Sequence, residues 1–97
     1  MATYIALINF TEQGITNIKE TTKRADKAIE IVTKLGAQLK NMYWTTGGVD
    51  AVLILEAPSD ETIAAVLLSL ARLGNIRTQT LRAFNRAEIE SIIKKVV

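Results

Sequence analysis

Apolar and polar positions divide the chain into segments of two different periods. Thr3 to Phe10 alternates: Tyr4, Ala6, Ile8 and Phe10 point one way, and Ile5 and Leu7 the other. Both faces of this predicted strand are apolar until Asn9. Thr11 to Ile15 reads as an N-capped single turn, weakened by Gly14. A helix is predicted from about Lys23 to Leu35, with Thr22 as N-cap. Its Ala25, Ala28, Ile29, Val32 and Leu35 recur on one helical face, and Gly36 is placed to stop it. Gln38 to Thr45 returns to strand period, with Lys40, Met42 and Trp44 on one face and Leu39, Asn41 and Tyr43 on the other. Gly47-Gly48 suits a tight hairpin into a third strand, Val49 to Glu56, whose centre Ala51 to Leu55 is apolar on both faces. Ser59 can cap a second helix with the buried stripe Ile63, Val66, Leu67 and Leu70, which Gly74 ends. A Thr-rich, mostly polar strand follows from Asn75 to Ala83. Asn85 to Glu88 forms a capping-box pattern ahead of a last amphipathic helix carrying Ile89, Ile92, Ile93 and Val96.

The order is βαββαβ plus a C-terminal helix, which matches the ferredoxin-like split βαβ motif of the α+β class. That topology places the strands 4-1-3-2 in one four-stranded antiparallel sheet. The sequence agrees, because strands one and three are apolar on both faces while strands two and four carry the polar residues expected at edges. Two helices cover one face of such a sheet. The other face also presents apolar side chains, and a large exposed apolar patch is unusual on a soluble monomer. A second copy packed sheet to sheet, giving a homodimer or higher homo-oligomer, would cover it. The alternative is that the last helix folds across the sheet.

With 97 residues the chain has the size of one domain, expected to span 1–97, and 48% apolar residues are enough for a packed core. Lys and Arg exceed Asp and Glu by only 2, a weak electrostatic argument for any partner. There is no Cys and no His, which excludes a disulfide, a Cys/His zinc site, a thiolate nucleophile and a His-based triad. The N-terminus runs straight into a strand pattern with no signal-peptide pattern, and no apolar run approaches membrane-spanning length, so a cytoplasmic location is expected. No P-loop or dinucleotide fingerprint occurs. The central strand Ala51 to Leu55 lacks the stacking aromatics of an RNA-recognition module. No cofactor, metal, nucleic acid or membrane partner is expected.

Four stretches carry a family resemblance: Met1 to Ile15 (MATYIALINFTEQGI), Tyr43-Trp44-Thr45, Leu53 to Pro58 (LILEAP) and Asn75 to Phe84 (NIRTQTLRAF). Together they resemble the GYD-domain family, named for a Gly-x-Tyr-Asp stretch. Here that stretch is Gly47-Gly48-Val49-Asp50, with Val in place of Tyr. The resemblance implies a dimeric α+β barrel of ferredoxin-like subunits. It implies little about activity, since a shared fold does not transfer a function.

Six residues stand out as ligand-binding candidates: Asn9, Tyr43, Trp44, Asp50, Thr78 and Arg82. Tyr43 and Trp44 form either a pocket wall or a packing anchor. Asn9 orients a ligand in a cavity or caps the following turn. Asp50 is a base or a turn-stabilising acid. Thr78, Thr80 and Arg82 share one face of strand four, suited either to a small carboxylate or phosphate or to blunting a solvated edge. Three function classes remain: a binding or structural barrel, an assembly subunit, and a cofactor-independent oxygenase or isomerase acting on a small aromatic or enolisable compound. The missing His removes the commonest general base near pH 7 and weighs against the enzyme.

Overall fold

A computed structural model describes residues 1–97 and contains the expected elements in the expected order. They are β1 (Ala2–Phe10), α1 (Glu12–Thr16), α2 (Thr21–Lys34), β2 (Gln38–Trp44), β3 (Ala51–Ala57), α3 (Asp60–Ala71), β4 (Ile76–Ala83) and α4 (Arg86–Ile93). The sheet order is β2-β3-β1-β4, antiparallel throughout. The two strands that are apolar on both faces are therefore the central ones.

On one face, Tyr4, Ala6 and Ile8 sit beside Leu55, Leu53 and Ala51 and are buried under α2 and α3. Val32 of α2 and Ile63, Val66, Leu67 and Leu70 of α3 complete this core. The α3 stripe is the one the sequence predicts, and Ser59 caps the helix by accepting the Thr62 N–H at 3.2 Å. The Asn85–Glu88 capping box also forms, with Asn85 accepting from the Glu88 N–H at 2.8 Å and Glu88 accepting from the Asn85 N–H at 3.0 Å.

Four local expectations are corrected. First, α2 begins at Thr21 and has no side-chain N-cap; a 3-10 turn, Ile18–Glu20, feeds directly into it and supplies the start expected of Thr22. Secondly, Ile29 and Leu35 are exposed, and the inward side of α2 is Ala25, Ala28, Ile31 and Val32. Thirdly, β2 has a bulge at Lys40: Leu39 pairs with Leu55 and Asn41 already with Ile54. One extra residue reverses the alternation, so Leu39 joins Met42 and Trp44 on the helix-covered face. Fourthly, the β2–β3 connection is a wider loop, residues 45–50, rather than a two-residue hairpin.

α1 is pinned beside the start of β4. Thr11 caps it, accepting the Gly14 N–H at 3.1 Å, and its hydroxyl donates to the Gly74 carbonyl at 2.6 Å. A Cβ at Gly14 would lie 2.0 Å from the Asn75 carbonyl oxygen. Glycine is there because the two backbones touch, which outweighs its poor helix propensity.

The opposite sheet face stays open. Ile5 lies between Ile54 and Leu81, and Leu7 between Val52 and Gln79. Ile5, Leu7, Val52 and Ile54 are half-buried, and Leu81 is exposed. α4 does not fold across them: its Ile89, Ile92 and Ile93 are themselves exposed. The alternative cover for the sheet is thus absent within one chain. The molecule is a slab of 49 × 31 × 18 Å.

Candidate functional site

Trp44 ends β2 on the helix-covered face, and its indole N–H donates to the Thr21 hydroxyl at 3.0 Å. This bond ties the sheet edge to the first turn of α2. Behind it lies a cavity of about 350 Å3, open to solvent on one side. Ile8, Met42, Ala51 and Leu53 line it from the sheet, Ala25 and Ala28 from α2, and Leu70 and Leu73 from α3 and the residues just after it. Its origin is legible in side-chain size. Where larger side chains would let helix and sheet interdigitate, the chain has Ala25, Ala28 and Ala51, so the layers leave space between them.

The polar lining is sparse: Thr21, Arg24, Lys27 and Asn75. The half-buried Arg24 guanidinium donates to the Asn17 carbonyl at 2.7 Å and the Gly14 carbonyl at 3.2 Å, and lies 5.9 Å from the Phe10 ring centre. Lys27 is exposed, so the positive charge sits at the solvent side. Neither cation pairs with a carboxylate; the ion pairs are Lys23–Glu20, Arg82–Glu88 and Arg86–Glu90. No Asp, Glu or Tyr lines the cavity.

The six sequence candidates do not converge on this cavity. Trp44 alone lines it. Tyr43 points to the open face opposite Val52 and is 56% exposed. Asn9 lies exposed on that same face opposite Arg77, and the turn that follows it is capped by Thr11 instead. Asp50 holds the hairpin to β1: its carboxylate accepts the Phe10 N–H at 2.8 Å, and its own N–H donates to the Ile8 carbonyl at 2.8 Å. Gly47, at φ +113°, makes the turn that delivers Asp50 to that place. The two matching positions of the Gly-x-x-Asp stretch are thereby explained as architecture. Thr78 is half-buried opposite Ile8, on the helix-covered face but outside the cavity lining.

Arg82 lies toward the far end of β4. It stacks 4.5 Å from the Phe84 ring centre and 5.6 Å from that of Tyr4, donates to the Thr3 carbonyl at 3.3 Å and to the Ala83 carbonyl, and pairs with Glu88 at 3.7 Å. These contacts fasten the start of α4 to the sheet. Beside it the Tyr4 hydroxyl donates to the Asp60 carboxylate at the start of α3. That hydrogen bond raises the Tyr4 pKa above its usual value, with burial and the Asp60 charge adding to it and the Arg82 charge opposing.

Thr21, Arg24 and Lys27 do not stand out in the sequence. The available signal is the spacing of Ala25 and Ala28 beside them, small residues on a helical face flanked by cations. No cluster of His, Cys, Asp or Glu side chains is placed to hold a metal ion, and no helix is long and apolar enough to cross a membrane.

The model of the GYD domain matches residues 4–93. The chain is 28% identical over 95 residues to a Thermus thermophilus protein named glutamine synthetase and cystathionine beta-lyase binding protein, covering 97% of this chain and 100% of that one. A crystal structure of a protein from Thermus thermophilus is similar with a TM-score of 0.57 at 25% identity, over 88% of this chain and 95% of that one. A feast or famine regulatory protein of Mycobacterium tuberculosis, solved with L-methionine, superposes with a TM-score of 0.67 at 15% identity, over 88% of this chain. A leucine response regulatory protein of the same organism gives 0.66 at 15% identity, over 87% of this chain. The chain spans about half the length of these two regulators, at 51% of each, and the likeness to them is one of fold.

Proposed function

The chain belongs to the GYD-domain family, and from that premise we propose that it is a non-catalytic homodimer, an α+β barrel closed by two open sheet faces, that binds other proteins. The observation that carries the dimer is the uncovered apolar face of Ile5, Leu7, Val52, Ile54 and Leu81. Burying it against its own symmetry mate satisfies both copies with one surface. The protein-binding role rests on the full-length relative, whose name records binding to two enzymes. A binding role also fits the cavity, which offers no carboxylate, imidazole or thiolate to move a proton.

The dimer is tested by sedimentation at micromolar concentration. Wild type sediments at twice the chain mass or a multiple of it. Ile54→Asp places a charge in the interface and yields a folded monomer, whereas Leu53→Asp, in the core under the helices, unfolds the chain. A wild-type monomer overturns the reading. For the partner role, purified glutamine synthetase added to wild type forms a faster-sedimenting complex. Its absence with both this enzyme and cystathionine beta-lyase counts against that role.

A further inference from the structure

We propose that the cavity between α2 and the sheet is a binding site for a small amphipathic carboxylate, its apolar body under Ala25 and Ala28 and its anionic head at Arg24 and Lys27. Protein interiors are packed as densely as organic crystals, and an apolar space of about 350 Å3 is in the range of small-molecule pockets. A cavity of mainly apolar lining has two cations on its rim, neither of them paired with a carboxylate. A guanidinium and an ammonium without counter-ions favour an anionic group, and a carboxylate can accept from the Lys27 ammonium and from the Arg24 N–H groups that the Asn17 and Gly14 carbonyls leave free.

The polar groups of the site are held in place. Arg24 cannot swing freely, since its two terminal nitrogens are already held by the carbonyls of Asn17 and Gly14. The guanidinium is fixed at the rim with its remaining N–H groups unassigned to any protein acceptor. Trp44 is likewise fixed by its bond to Thr21. A site whose polar groups are already placed loses little freedom when a ligand arrives. The amphipathic shape follows from the lining: apolar inside, cationic at the solvent side. A fully polar anion would leave the apolar lining unused, and a cation would meet Arg24 and Lys27.

This site is formed by one protomer on the face opposite the open sheet, so it does not depend on dimerisation. The test uses octanoate, octylamine and 1-octanol, three probes with the same body and different heads. Trp44 is the only Trp and lines the cavity, so its fluorescence reports occupancy, and calorimetry gives stoichiometry. Octanoate binds at one per chain and shifts the Trp44 emission, more tightly than the alcohol, with octylamine weakest. Lys27→Glu, an exposed change that leaves the fold intact, weakens octanoate by roughly tenfold and strengthens octylamine. Ala28→Leu puts a branched side chain where the apolar body of the ligand would lie and weakens octanoate binding. Equal binding of the three probes, no octanoate binding, or octanoate binding undiminished in Ala28→Leu overturns the proposal. Ile54→Asp binds octanoate as wild type does, so loss of the dimer and loss of the site are separately visible.

Discussion

At the scale of single residues, the side chains most eligible for chemistry turn out to be fasteners. Asp50 spends its carboxylate on the Phe10 N–H, Arg82 reaches aromatic rings and backbone carbonyls, and Tyr4 joins β1 to the start of α3 through Asp60. The Tyr4 bond has a pH signature. Its pKa is raised above the ordinary 10.0, chiefly by the hydrogen bond to Asp60, so the fold favours the neutral phenol. The stability this contributes is whole below about pH 10 and is lost as pH rises through the folded-state value, because the unfolded chain gives up the proton first. Tyr4→Phe should cost about 1 kcal/mol near neutral pH, and the gap to wild type should narrow above pH 10 in urea titrations. A gap that stays constant from pH 8 to 11 would contradict the assignment. A role such as that of Asp50 is half legible in the sequence, since acids after turns usually stabilise them. Its partner is not, because the Phe10 N–H lies forty residues away.

At the scale of elements, α3 and α2 show why one helix is readable and the other only in part. The α3 stripe Ile63, Val66, Leu67 and Leu70 is buried as its spacing predicts. In α2 the same spacing also includes Ile29 and Leu35, yet the helix sits so that its small residues face the sheet and these two face solvent. Spacing defines a face but not the angle at which a neighbour meets it. Leu67→Ala should therefore destabilise by about 2–5 kcal/mol, while Ile29→Ala should change stability by about 0.5 kcal/mol or less. Denaturant midpoints for the pair decide the orientation of α2 directly, and equal losses would place Ile29 in the core after all. The β2 bulge has the same moral. Leu39 and Met42 are both apolar, three residues apart, and strict alternation puts them on opposite faces. One inserted residue at Lys40 returns them to the same side, and nothing in the local pattern marks which residue is extra. The cavity is hidden for a related reason, since it is set by the gap between layers and not by any one segment's period.

At the scale of the whole molecule, the slab presents two faces with different consequences. One is closed by α2 and α3 except at the cavity, and the other is an uncovered sheet surface with Ile5, Leu7, Val52, Ile54 and Leu81 at its centre. The doubly apolar central strands make this asymmetry visible from sequence, because only the middle of a sheet needs two apolar faces. A chain of this size buries only about 60–70% of the surface its unfolded form exposes, so its stability as an isolated subunit is modest. Association through the open face would add to it by mass action, since the dimer draws on the folded chain and not the unfolded one. Tm should thus rise with protein concentration across the micromolar range for wild type. Ile54→Asp should melt at a lower temperature that is the same at every concentration, because its unfolding no longer includes dissociation. Octanoate should raise Tm in both proteins, as the cavity belongs to one chain. A wild-type Tm independent of concentration, with octanoate still stabilising, would leave a small-molecule-binding monomer whose open sheet face is covered by some other protein.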